Sequence, residues 1–236
     1  MSSDPSRDAY TEELAYLQQT QRGDFPYTIE LLGQPFTVHK ATFSPKYFQF
    51  STEVCAKQLP VRAGSAVLEI GTGIGVIAIL AAQRGASRVV ATDISTAAVN
   101  NARENVRLNG VADRVEVRLG DVFEPIGADE KFDTIFTELP YLYIDPEAAL
   151  SMLERSLFDS GYAAYQKFIT EGRNHLKPGG RLLFGFSKDF GDFAKLEAIA
   201  QAAGLRIHSI YQQRCDDDVI TGVSYIVDIF EVVDAT

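Results

Sequence analysis

Ala66-Val67-Leu68-Glu69-Ile70-Gly71-Thr72-Gly73-Ile74-Gly75, running on into Val76-Ile77-Ala78-Ile79-Leu80-Ala81-Ala82, decides how this chain folds. The first five residues form a short aliphatic run of strand length, and the residues from Val76 to Arg84 form a longer apolar run of good helix formers closed by Gly85. A strand that passes through a glycine-rich turn into a helix is the opening of a parallel β-α-β unit. Gly71, Gly73 and Gly75 allow the backbone to turn sharply against a ligand, and the helix behind them offers unpaired N-H groups. Where a dinucleotide fingerprint would place its third glycine the chain has Val76, which disfavours a pyrophosphate ligand. A glycine-rich turn can also do no more than reverse the chain, so the neighbouring segments must decide.

Downstream, the same alternation continues. Arg88 to Asp93 reads as a second strand with an acidic end, Ser95 caps a helix to about Leu108, and Val115 to Leu119 is a third strand leading to Gly120-Asp121. Phe132 to Thr137 is a fourth and Arg181 to Phe186 a fifth, the latter after Lys177-Pro178-Gly179-Gly180. Leu205 to Gln213 and Val219 to Val232 form a closing pair, antiparallel because the link through Cys215-Asp216-Asp217-Asp218 leaves no room for a crossover helix. The expected fold is α/β, with a mostly parallel sheet covered by helices on both faces. Upstream, a helix from Asp8 to about Gln21, a hairpin pairing Tyr27 to Leu32 with Pro35 to His39, and a helix from Thr52 to Leu59 ending at Pro60 are expected, with residues 1 to 8 polar and mobile. The division that follows is a lid or platform over residues 1–60 and a catalytic domain over 61–236.

Composition narrows the partners. A chain of 236 residues suits one α/β domain, and 46% hydrophobic with 23% charged residues is ordinary globular usage. Thirty-two acidic against 22 basic residues give a net charge of -10, which repels phosphate backbones and anionic membrane surfaces, so neither nucleic acid nor membrane is expected as a partner. Cys55 and Cys215 lie far apart with no Cys-x-x-Cys spacing, and His39, His175 and His208 stand at no ligand spacing; no disulfide framework and no metal are expected. The first residues lack a basic stretch followed by an apolar run, and nowhere do roughly 18 apolar residues follow one another, so the expected location is cytoplasmic. Oligomeric state is left open, a homodimer included.

Ligands of an open parallel sheet gather beyond the carboxyl ends of its strands. Asp93, 22 residues after Gly71, stands where a carboxylate can accept both hydrogen bonds of a ribose diol, or merely favour a helix N-terminus as an anion. Asp121 can accept from the exocyclic amine of adenine or serve as a plain turn residue. Taken in order, Glu69 to Gly75, Asp93 and Gly120-Asp121-Val122 resemble the motifs of the class I S-adenosylmethionine-dependent methyltransferases, over residues 64 to 232. The resemblance implies a Rossmann-like fold, a seven-stranded mostly parallel sheet with an antiparallel last strand, and S-adenosyl-L-methionine as cofactor. It also implies that Glu69, Gly71, Gly73, Gly75, Asp93, Ile94, Asp121, Val122 and Glu138 surround that cofactor. Within the superfamily, Asn100 to Gly110, the stretch from Leu157 through Gly161, Tyr165 and Ile169 to Gly180, and Phe43-Ser44-Pro45 are similar to the glutamine N5-methyltransferases that modify peptide-release factors.

The chain departs from that family at one place. Asn-Pro-Pro-Tyr after the fourth strand is replaced by Glu138-Leu139-Pro140-Tyr141, so an acceptor is kept, an amide donor is lost and a negative charge is added. A carboxylate suits an amine, ammonium or guanidinium better than a carboxamide, because charge-assisted hydrogen bonds are the stronger ones. The expected activity is methyl transfer to a nitrogen of a small-molecule or amino-acid-like acceptor, with Glu138 and Tyr141 as catalytic residues. Phe43, Tyr47 or Phe48 would wall the pocket and favour a sulfonium through their ring faces. Three alternatives stand beside it: cyclisation of the cofactor's aminobutyrate chain with release of methylthioadenosine, glutamine N5-methylation of a protein, and a scaffold that keeps the pocket without catalysis. A dinucleotide oxidoreductase is a distant fourth.

Overall fold

A computed structural model describes residues 5–216 and 222–235, and of residues 5–10, 12 and 47 the backbone alone. Seven strands form one sheet in the order β10-β11-β9-β6-β3-β4-β5. They are β3 (Ala66–Ile70), β4 (Arg88–Asp93), β5 (Val115–Leu119), β6 (Phe132–Thr137), β9 (Leu176–Phe186), β10 (Leu205–Cys215) and β11 (Tyr225–Asp234). Only β11 runs against the rest, pairing antiparallel with both β9 and β10. The chain winds from β3 outward through β4 to β5, then returns past β3 to β6, so the carboxyl end of β3 is where the winding reverses.

All five residues of β3 are buried, Glu69 among four apolar ones, because helices cover both faces of the sheet. Val67, Val89 and Ala91 face one layer, formed by α2 (Gln49–Gln58), α3 (Val76–Gln83) and α4 (Thr96–Leu108). Leu68, Val90 and Ile135 face the other, formed by α5 (Ala163–Glu171) and α6 (Phe193–Ala202), where Tyr165, Phe168 and Leu196 are buried.

The upstream part is docked by side chains. The hairpin β1 (Tyr27–Leu31) and β2 (Gln34–Val38) lies against α4, whose Asn101 and Asn105 stand one turn apart. Asn105 Oδ1 accepts from the Thr37 N-H at 2.7 Å, Asn101 Oδ1 from the His39 N-H at 2.9 Å, and both amides donate to the Thr37 carbonyl. Two asparagines thus stand in for the strand that would otherwise pair with β2. α1 (Pro5–Thr20) packs Leu17 against Leu157 and Phe158 across the mouth of the sheet.

Five expectations are corrected. α1 starts at Pro5, not Asp8, so residues 5–8, expected to be mobile, are helical, and residues 1–4 lie outside the described residues. α2 starts at Gln49, three residues before Thr52, following a short turn at Pro45–Tyr47. β9 starts at Leu176 instead of Arg181: Leu176 pairs with Phe132 and Arg181 with Thr134, so Lys177-Pro178-Gly179-Gly180 bulge out within the strand opposite one residue of β6. The last strand starts at Tyr225, not Val219; Val219, Asp217 and Asp218 lie outside the described residues. Between Tyr141 and Ser160, where no element was expected, β7 (Leu142–Ile144) and β8 (Phe158–Ser160) form a small parallel pair.

Candidate active site

The glycine-rich turn is built by backbone conformation. Gly71, Gly73 and Gly75 have φ of +73°, +56° and +91°, a region that costs a residue with a Cβ roughly 1 to 2 kcal/mol each. A Cβ on Gly73 would meet no protein atom within 4 Å, whereas one on Gly75 would come within 3.3 Å of Ala102 Cβ. Gly75 therefore serves helix packing and Gly73 leaves its side open. Beneath the turn, Glu69 Oε2 accepts from the Thr72 hydroxyl at 2.6 Å and the Ala78 N-H at 3.0 Å, tying the end of β3 to the first turn of α3. Burial pushes the Glu69 carboxyl up to about 8, and the carboxyls of Asp93 and Glu138 push the same way.

Asp93 closes β4. Its Oδ2 accepts from the Gly73 N-H at 2.9 Å and its Oδ1 from the Ser95 N-H at 2.8 Å. Burial raises its carboxyl, and these backbone donors with that of Ile94 hold it back. Each oxygen keeps a lone pair for a ligand hydroxyl. Ile94, an exposed large hydrophobic, presents an apolar wall to the same space, the kind of surface a ligand covers. Asp121 and Val122 also line it, but the Asp121 carboxylate is paired with the Lys167 ammonium on α5, a partner no local pattern announces.

Glu69, Gly71, Gly73, Asp93, Ile94, Asp121, Val122 and Lys167 border one cavity of about 840 Å³; Gly75, expected beside the cofactor, does not reach it and packs on α4 instead. The far end of the cavity is a cluster around Glu138, just after β6. Tyr141 Oη donates to Glu138 Oε1 at 2.9 Å, and the Ser51 hydroxyl and Cys55 thiol on α2 lie within donor reach of the Glu138 carboxyl, with Ser51 donating to the Phe48 carbonyl at 3.2 Å. Burial raises the Glu138 carboxyl, with these three side chains holding it back; burial and then the Glu138 charge push Tyr141 upward, as they do the Cys55 thiol. Among the described residues no cation is hydrogen-bonded to this carboxyl, so burial opposes its ionisation and the hydroxyl and thiol donors favour it. Sequence reasoning missed Ser51 and Cys55. Their four-residue spacing was the available signal, since it puts both on one face of a helix.

Over this end lies a roof of Phe43, Phe48, Leu150, Leu153 and Leu157. Phe43 stacks on Phe48 at 5.0 Å between ring centroids, and Tyr16 meets Phe48 edge-on at 5.9 Å. Tyr47 contributes no described side chain. The histidines stand elsewhere: His39 pairs with Glu104 at 2.8 Å, His175 stacks on Phe123, and His208 lies 3.8 Å from Glu231. Among the described residues no group of three His, Cys, Asp or Glu could hold a metal ion, and no helix is long and apolar enough to cross a membrane. An open glycine, an anchored carboxylate with spare lone pairs, an apolar wall and a majority of acidic groups suit a nucleoside carrying a positive charge.

Residues 33–205 match the family model described as methyltransferase small domain. The release factor glutamine methyltransferase of Cereibacter sphaeroides is 35% identical over 182 residues, 73% of this chain and 63% of that protein. Its Aquifex aeolicus counterpart is 30% identical over 178 residues, 70% of this chain and 62% of the relative. The chain thus spans somewhat less than two thirds of the length of these relatives. Among solved structures, a ribosomal protein L11 methylase from Lactobacillus delbrueckii superposes with a TM-score of 0.51 at 22% identity, covering 80% of this chain and 79% of the other.

Proposed function

The chain belongs to the methyltransferase small domain family, within the class I S-adenosylmethionine-dependent methyltransferases, and from that premise we propose that it methylates the side-chain amide nitrogen of a glutamine carried by a protein. The relatives named glutamine methyltransferases favour this acceptor over the small-molecule nitrogen expected from the Glu138 substitution alone. The observation that carries it is the setting of Glu138, which lines the cavity just after β6, takes a hydrogen bond from Tyr141 and has no cation bonded to it among the described residues. A neutral carboxylic acid has one acceptor oxygen and one donor hydroxyl, which makes it the nearest mimic of the asparagine side chain it replaces. With its burial-raised affinity for a proton, Glu138 can face a carboxamide without placing a bare charge against it.

When bound, S-adenosylmethionine supplies a methyl group already activated on a sulfonium. Gly73 and the start of α3 would hold its aminobutyrate end, Asp93 its ribose, Ile94 and Val122 the faces of its adenine, and Asp121 the adenine amine. The Glu138 carbonyl oxygen accepts an N-H of the substrate amide and turns the nitrogen toward the cofactor. Tyr141 fixes the Glu138 rotamer, and the roof of Phe43, Phe48 and the leucines excludes water. The nitrogen becomes strongly acidic once methylated, so its proton leaves without a dedicated base.

A second reading, favoured by the acidic character of the cavity, has Glu138 ionised and paired with the ammonium of a small amine or with the cofactor's own amine. Transfer of a radiolabelled methyl group to a glutamine-bearing release-factor protein, compared in Glu138→Asn, Glu138→Gln and Glu138→Ala, separates the two. Under the glutamine reading the amide variants keep activity within about tenfold while Glu138→Ala loses roughly 100-fold or more, the usual cost of deleting a positioned hydrogen-bonding group. Loss in the amide variants as deep as in Glu138→Ala overturns it in favour of an amine, and methylthioadenosine formed without any acceptor points to cyclisation.

A further inference from the structure

α2 brings two side chains to Glu138 that the reaction as described does not require. Ser51 and Cys55 are both buried, four residues apart, on the helix face turned toward the carboxyl ends of β6 and β9. Their approach depends on Gly185 in β9: a Cβ there would overlap the Cys55 sulfur and would lie 3.7 Å from Glu138 Cγ. The thiol and the carboxyl therefore rest against the same glycine. From the other side Tyr141 donates to Glu138, and Tyr165 on α5 donates to the Leu139 carbonyl at 3.0 Å, fixing the backbone beside it.

Ser51 has one hydroxyl proton and two places to put it. Its Oγ lies 3.2 Å from the Phe48 carbonyl one turn back in the chain and also within hydrogen-bond reach of Glu138. When Glu138 is neutral, its own proton can go to Ser51 Oγ while the Ser51 proton stays on the Phe48 carbonyl. When Glu138 is ionised, Ser51 turns its proton to the carboxylate and the Phe48 carbonyl is released. The thiol of Cys55 has the same freedom, since a cysteine within a helix can donate to the carbonyl four residues earlier, here that of Ser51.

We infer that Ser51 and Cys55 are positioning residues that accommodate both protonation states of Glu138 and thereby set the pH interval over which the enzyme presents a neutral or a charged carboxyl to its acceptor. The inference rests on the role given to Glu138 above. The groups facing that carboxyl are Cys55 from α2, Glu69 from β3, Tyr141 after β6 and Tyr165 from α5. Two of these, Cys55 and Tyr141, are its donors, and Glu69 is a second acid whose ionisation would repel it.

Infrared difference spectra of the full chain, wild type minus Glu138→Gln, isolate the carboxyl band of Glu138 across a pH titration, in the presence of S-adenosylhomocysteine and without acceptor. Ser51 and Cys55 hold the ionised form more strongly than the acid, because a hydrogen bond to a carboxylate is charge-assisted, so Ser51→Ala and Cys55→Ala each move the midpoint upward, by about 0.7 pH unit for a difference of roughly 1 kcal/mol. Cys55→Ser, which keeps a donor, returns the midpoint toward the wild-type value. A midpoint unchanged in both alanine variants, with thermal unfolding showing them folded, overturns the inference. The pH profile of kcat/KM then tests the function separately. If the carboxamide reading holds, the alkaline limb moves upward with the band; if the band moves and the acid limb follows it instead, the positioning role stands and the acceptor is an amine.

Discussion

The two ends of the cavity are made in different ways. At the end proposed for the cofactor the lining comes mainly from one stretch of chain, Glu69 to Val122, and is dictated by backbone: the left-handed Gly71 and Gly73, a helix start, and a carboxylate fixed by two N-H groups. At the end proposed for the acceptor it comes from α1, α2, the segment after β6 and β8, and is dictated by side chains that meet only after folding. A backbone-built site leaves glycines at fixed spacing in the sequence, because nothing else tolerates those dihedral angles. A side-chain-built site can be written in many ways, so its sequence carries no comparable mark.

The comparison breaks most visibly at Asp93. Asp93→Ala removes the acceptor proposed for a ribose diol and frees the Gly73 and Ser95 N-H groups at once. The affinity for S-adenosylhomocysteine, measured by calorimetry, should fall about 100-fold or more, since two hydrogen bonds to a charged group contribute roughly 1.5 to 3 kcal/mol each. Leu153→Ala in the roof should leave that affinity within about threefold if the two ends act separately. Equal losses in both variants would show one continuous site in place of two.

What could be read beforehand follows the same division. The order of strands from Ala66 to Thr137, the turn and Asp93 were all given by local pattern, and the antiparallel closing pair by the lack of room for a crossover. Lys167 was not, because its pairing with Asp121 spans 46 residues and joins a helix to a strand end. Nor were Ser51 and Cys55: disulfide and zinc chemistry depend on other cysteines, and no local pattern announces the carboxyl that Cys55 approaches beside Gly185. The bulge that lengthens β9 escaped because Pro178-Gly179-Gly180 is ordinary turn chemistry, and only the pairing of Leu176 with Phe132 makes it part of a strand.

Glu69 sharpens the comparison, since it belongs to the backbone-built end yet feels the acidic interior. Its folded pKa of about 8 lies above the ordinary carboxyl value of 4.5, so the folded state holds a proton that the unfolded chain has lost. Stability from this group is therefore complete below the unfolded value and declines as pH rises toward 8, at up to roughly 1.4 kcal/mol per pH unit. Glu69→Gln copies the protonated form, because a single oxygen takes both the Thr72 and Ala78 hydrogen bonds and the amide carbonyl can do the same. Urea unfolding at pH 6 and pH 8 should show wild-type stability falling by about 2 to 3 kcal/mol and the variant changing much less. Equal slopes would mean that Glu69 is ionised throughout and that the turn is held by a charge.

Asn105 joins the hairpin to the glycine turn of the backbone-built end, and its loss should have a smaller and more local effect. Its amide donates to the Thr37 carbonyl in β2 at 2.9 Å and to the Ile74 carbonyl in the glycine turn at 3.0 Å, while its oxygen takes the Thr37 N-H. Asn105→Ala leaves the Thr37 N-H and the Ile74 carbonyl without this partner, while the Thr37 carbonyl keeps Asn101, a cost of about 1 to 3 kcal/mol. His39→Ala, four residues from the hairpin's turn-side proline and paired only with the half-exposed Glu104, should cost at most about 0.5 kcal/mol. Hydrogen exchange distinguishes two outcomes for Asn105→Ala. If the hairpin is merely docked on a self-sufficient turn, amides of β1 and β2 exchange faster while those of α3 keep their protection. If α3 loses protection together with the hairpin, the turn depends on the lid that covers it, and the division between a backbone-built end and a side-chain-built end holds for sequence alone, not for stability.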